Sequence, residues 1–77
     1  MPKLRSLSGA DVRRILERNG FQLIRQRGSH LIMKRVLPAG DSRTVPVPAH
    51  SEIAPGTLRS IIDLSGLAPE LFAHRRR

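Results

Sequence analysis

Phe21-Gln22-Leu23-Ile24-Arg25-Gln26-Arg27-Gly28-Ser29-His30-Leu31-Ile32-Met33-Lys34-Arg35-Val36 carries the period of a sheet rather than of a helix. Phe21 to Gln26 alternates as a strand does, Arg27-Gly28 has the chemistry of a turn, and Ser29 to Val36 reads as a second strand. On that second strand Leu31 and Met33 share one face, and His30, Ile32 and Lys34 share the other. Both faces carry apolar residues, so alternation alone leaves the register of the hairpin open.

Upstream, the pattern changes to a helical one. Ser8 is a good N-cap, and Asp11 stands where its charge meets the helix dipole. Leu7 and Val12 are spaced as a hydrophobic staple. Val12, Ile15 and Leu16 form an apolar stripe, with Arg13, Arg14, Glu17 and Arg18 facing water. Gly20 is placed to end the helix and Phe21 to fold back on Leu16. Downstream, Pro38-Ala39-Gly40-Asp41 is a loop, and Arg43 to Pro48 is a third strand. Pro46 and Pro48 lie two apart, so their missing N–H groups share an edge, and Val45 and Val47 pair inward. That makes it an edge strand. Pro55 fits the first position of a second helix, with Leu58, Ile61 and Ile62 as its buried stripe, Gly66 as its end and Leu67 over Ile62. Pro69 to Phe72 is a last turn closing over the core.

The order is α-β-β-β-α. The expected fold is α+β: a three-stranded antiparallel sheet with two helices on one face and the other face open. Residues 1–77 read as one domain. Residues 1–7 form a leader whose Leu4 and Leu7 pack on the body, and residues 73–77 form a basic tail.

Composition limits what such a domain does. An apolar content of 39% builds one compact core and no deep cavity, so an active site is shallow, which suits a polymer substrate. There are no cysteines, which excludes disulfides and thiolate chemistry. No run of about 18 apolar residues exists to span a membrane. The N-terminus lacks the apolar stretch of a signal peptide, so the expected location is cytoplasmic. Fourteen basic residues, twelve of them arginine, stand against six acidic ones, for a formal charge of +8 and a pI near 11.9. Arginine presents a planar fork that matches phosphate, and a charge balance of this kind is the footprint of nucleic-acid binding.

His30 is the leading candidate for chemistry. Imidazole takes and gives protons near neutral pH, and a glycine turn just before it would fix its direction. With phosphates recruited by Arg25, Arg27, Lys34 and Arg35, it is placed to take the proton of an RNA 2′-hydroxyl as general base; proton transfer of this type contributes about 10²–10⁴-fold. Ser29 sits beside it, but neighbours on a strand point to opposite faces and no acid completes a triad. His50, in Pro48-Ala49-His50, is a second proton shuttle, a phosphate contact, or a residue that orders the loop before the second helix. Metal chemistry is not expected. The histidines are 20 and 24 residues apart with no carboxylate cluster, and P-loop and dinucleotide fingerprints are both missing. The two aromatics, Phe21 and Phe72, occupy core-like positions, so recognition rests on backbone charge and shape. The competing readings are a non-catalytic RNA-binding module of the same fold and an interaction module whose basic face meets an acidic protein.

Two motifs in order carry a family resemblance. Asn19-Gly20-Phe21, Arg25 and Gly28-Ser29-His30 form the first. Val45-Pro46-Val47-Pro48-Ala49-His50 followed by Pro55-Gly56-Thr57-Leu58-Arg59-Ser60-Ile61-Ile62 forms the second, with Gly66-Leu67 and Phe72 closing. From Lys3 to Phe72 the chain resembles the HicA toxins, or YcfA-like family. The resemblance implies a fold like that of a double-stranded-RNA-binding domain and a toxin of a type II toxin–antitoxin pair that cleaves messenger RNA. It also implies His30 as the catalytic residue, with Gly28 and Ser29 beside it in the motif, a HicB-like antitoxin covering the active face, and no cofactor. Many relatives carry histidines or aromatics where this chain has Leu31-Ile32-Met33.

Overall fold

A computed structural model describes residues 6–73; the expected packing of Leu4 and residues 74–77 of the basic tail lie outside them. The elements run α1 (Gly9–Arg18), β1 (Gln22–Arg27), β2 (His30–Val36), β3 (Ser42–Pro48), α2 (Pro55–Ser65) and α3 (Glu70–Ala73). The strands form one antiparallel sheet in the order β1-β2-β3. The fold is therefore the α+β arrangement that the sequence pattern anticipates.

Local chemistry sets the element ends. Ser8 and Asp11 close a full capping box: the Asp11 N–H donates to Ser8 Oγ and the Ser8 N–H to Asp11 Oδ2, both at 3.0 Å. At the other end of α1, the Gly20 N–H donates to Glu17 O and the Phe21 N–H to Leu16 O, with Gly20 at φ +94°. That is a Schellman cap. It occupies the Phe21 N–H, which is why β1 begins at Gln22 and not at Phe21. α2 starts on Pro55 without a side-chain cap and ends at left-handed Gly66.

Both main helices lie on one sheet face. Leu31, Met33, Val45 and Val47 from the strands join Leu7, Val12, Leu16, Phe21, Ile53, Leu58, Ile61, Ile62 and Phe72 in a single buried cluster. Leu7 and Val12, the expected staple, are both inside it. Ile53 belongs to no periodic pattern, yet it is buried in the cluster, and its N–H donates to Leu7 O at 2.8 Å. This bond ties the segment before α1 to the segment before α2. The open face is made by the alternate residues of the three strands.

Candidate functional site

The hairpin turn lies one residue later than the sequence pattern puts it. Arg27 pairs with His30, so Gly28 and Ser29 are the two central residues. Gly28 has φ +57° and Ser29 is not at positive φ, which is the φ pattern of a II′ hairpin, with glycine at the first position. Both turn carbonyls are engaged: Gly28 O accepts from Gln26 Nε2 at 3.0 Å, and Ser29 O accepts from the Ala49 N–H at 2.7 Å. His30 opens β2 with its direction fixed by the ladder, paired to Arg27 on one side and Pro48 on the other. Its ring is exposed.

The register of β1 decides which cations reach that face. Gln22 pairs with Lys34 and Leu23 with Met33, but beyond Ile24 the pairs are Arg25 with Ile32, Gln26 with Leu31 and Arg27 with His30. Ile24 is the extra residue of a β-bulge and is 51% exposed. Under unbroken pairing Ile24 would oppose Ile32, and Arg25 would oppose Leu31 on the core face. A one-residue slip exchanges faces along a whole strand. The bulge therefore sends Arg25 and Arg27 to the side of His30, although both share odd parity with buried-side Leu23.

Three rows of the open face cross all three strands, Arg27–His30–Pro48, Arg25–Ile32–Pro46 and Gln22–Lys34–Thr44, with the pair Val36–Ser42 beyond them; Pro48, at the corner, is buried. Arg27, Gly28, His30, Ile32 and Pro46 line a shallow depression of about 490 Å³. None of the six acidic residues lies on a strand. The ion pairs among the described residues, Arg13 with Glu17 and Arg14 with Asp11, are both on α1. Arg25, Arg27 and Lys34 thus have no carboxylate partner among the described residues, and their field adds up over the depression.

Arg35 stands apart from this group. It pairs with Arg43 on the helix-covered face. A methyl group on Gly20 would come 3.2 Å from Arg35 Nε, so its stem lies across the end of α1. Arg43 Nη1 donates to Leu64 O at 3.3 Å, at the end of α2. Two like charges directly opposite repel. Each is drawn instead to a helix C-terminus, where a cation is favoured.

His50 is two residues beyond Pro48, at the same end of the sheet as His30. It orders its surroundings through the backbone: its carbonyl accepts from the Gly9 N–H at 2.9 Å. Its exposed imidazole has no hydrogen-bond partner among the described residues. The Ala49–Ser29 and His30–Pro48 pairings join the two sequence motifs into one corner. Pattern reading missed the apolar pair Ile32 and Pro46, which needed the cross-strand register to be seen as neighbours. Among the described residues no three His, Cys, Asp or Glu side chains are grouped to hold a metal ion, and no helix is long and apolar enough to cross a membrane.

The family model described as HicA toxin of bacterial toxin-antitoxin matches residues 9–67. The chain belongs to the HicA toxin family. The match begins at the first residue of α1, takes in both motifs and ends just past Gly66. No curated protein and no solved structure matches the chain. As a HicA toxin the protein is the toxin half of a toxin–antitoxin system, and its partner is an antitoxin.

Proposed function

We propose that this HicA toxin is a metal-independent endoribonuclease that cleaves messenger RNA with His30 as general base. The observation that carries the reading is an exposed histidine, His30, directly across the strand ladder from Arg27, on a sheet face without carboxylates. Arg25, Arg27 and Lys34 hold the sugar–phosphate backbone across that face. The imidazole of His30 takes the proton of the 2′-hydroxyl. The 2′-oxygen then bonds to the adjacent phosphorus while the bond from phosphorus to the 5′-oxygen breaks. His50 or a water molecule gives that leaving oxygen its proton. The products are a 2′,3′-cyclic phosphate and a free 5′-hydroxyl. Arg27, one strand away from His30, offsets the negative charge that builds on the phosphate oxygens. The fixed hairpin direction of His30 supplies the positioning on which general-base catalysis depends.

The reading extends to the partner and the setting. A HicB-type antitoxin silences the toxin in the cytoplasm by covering the open sheet face. His30→Ala tests the chemistry. Labelled RNA is incubated with each protein in EDTA, and growth is followed on induction. The variant is expected to lose cleavage and growth arrest, by about 10²-fold or more, while RNA and antitoxin binding persist. Cleavage retained in His30→Ala overturns the mechanism. RNA left intact by the unaltered protein at high concentration favours the non-catalytic binding module.

A further inference from the structure

Beyond the phosphate-holding cations, the open face contains an apolar floor beside His30. Ile32 and Pro46 pair directly across β2 and β3 and line the same depression as His30 and Arg27. Ile32 is half-buried and Pro46 exposed. We infer that this floor is the seat of one nucleobase of the RNA strand, the base of a nucleotide next to the scissile phosphate. The inference rests on the nuclease reading above and adds a contact to it.

Three observations lead to this occupant. The first is spacing. Ile32 is two residues along β2 from His30, about 6.6 Å, and Pro46 one strand over, about 4.8 Å further across. A phosphate held between His30 and Arg27 therefore leaves its neighbouring base over Ile32 and Pro46. The second is charge. Arg25 flanks Ile32 on the β1 side and Arg27 flanks His30, so the floor is bordered by cations that suit a polyanion. A peptide side chain would need no such rim. The third is the fate of the aromatics. Phe21 and Phe72, the chain's two residues of the Phe, Tyr and Trp class, are buried at 2% and 0% exposure. No Phe, Tyr or Trp ring is left to stack a base, and His30 is committed to the proton transfer, so the flat aliphatic pair beside the reacting atoms takes that place. An aliphatic floor offers no hydrogen-bond code. It discriminates by area, favouring a purine modestly over a pyrimidine, in keeping with the sequence tolerance of base stacking in general.

The test is a coupling measurement. Short RNAs with one 2′-deoxy sugar at the cut site bind but resist internal attack. They are made with a normal base or an abasic sugar at each nucleotide flanking that site. Ile32→Thr keeps a β-branched residue on the strand while replacing a methylene-bearing arm by a hydroxyl, and Val36→Thr, on the same strand far from the depression, is the control. The unaltered protein is expected to bind the base-bearing RNA about threefold to tenfold tighter than the abasic one at one flanking position. Ile32→Thr should reduce that ratio to near one, and Val36→Thr should leave it unchanged. A ratio near one for the unaltered protein at both positions overturns the base seat, as does a ratio that survives in Ile32→Thr. Cleavage of the all-ribose RNA is scored separately with His30→Ala. Loss of the nuclease reading and loss of the base seat are thus distinguished, because the binding ratio is read on RNA that is not cut.

Discussion

Gly9 and Gly56 both lie in the first turn of a helix, yet the structure predicts opposite outcomes when each becomes alanine. Gly9 is buried, and its N–H donates to His50 O. A Cβ there would press into the Pro48 carbonyl oxygen at a separation that real carbon atoms do not adopt, with Ala49 Cα at 3.1 Å and the Pro48 carbonyl carbon at 3.2 Å behind it. The obstacle is backbone, so it does not swing aside. Overpacking of this kind costs roughly 1–3 kcal/mol, and weakening the Gly9–His50 bond adds about 1 kcal/mol. The better helix propensity of alanine returns up to about 1 kcal/mol. The net expectation for Gly9→Ala is about 2 kcal/mol of destabilisation, a fall in Tm of roughly 8–16 °C for a domain of this size. At Gly56 a Cβ meets nothing within 4 Å and φ is not positive. Gly56→Ala should then stabilise by about 0.4–1 kcal/mol. Thermal unfolding followed by far-UV circular dichroism measures both. A Gly9→Ala protein that melts at or above the parent temperature would refute the packing argument.

The arginines should sort by face. If about five phosphates are held, log K falls with log salt at a slope near −3.5, and Arg25→Ala or Arg27→Ala each flattens it by about 0.7. Arg35→Ala and Arg43→Ala should leave the slope unchanged, with Arg43→Ala costing about 0.5–1 kcal/mol of stability through the lost Leu64 bond. A uniform change in slope across all four would contradict the division. Deleting Ile24 should give unbroken pairing in the hairpin with Arg25 still opposite Ile32 and Arg27 still opposite His30, so the salt slope should stay close to the parent's. A slope flattened by about 1.4, the loss of two phosphate contacts, would contradict the assigned register.

The α-β-β-β-α order was legible because each element carries its own punctuation. The Ser8–Asp11 pair, Gly20, Pro55 and Gly66 act locally, and local rules reach them. The inward set Leu31, Met33, Val45 and Val47 follows from period two. His30 stood out as an imidazole after a turn glycine. Arg35 was read with the other cations because distance along the chain does not tell which face a residue takes; pairing with Arg43 over the helix ends does. The turn at Gly28-Ser29 was displaced by one because residue types fit either position, and only the Arg27–His30 pair settles it. The Ile32–Pro46 floor and the Gly9 contact are non-local and have no signature in a single segment.

The bulge at Ile24 lets the two ends of the first strand keep separate registers, with Leu23 toward the helices and Arg25 and Arg27 toward solvent. One codon lost at the bulge removes only an exposed isoleucine and leaves both arginines beside His30 and Ile32. One codon lost at Gln26 would instead place Arg25 opposite Leu31, on the helix-covered face. In comparisons of HicA sequences, where a single-residue gap falls in the first strand therefore matters more than that it is there. A count of basic residues would not separate the two cases.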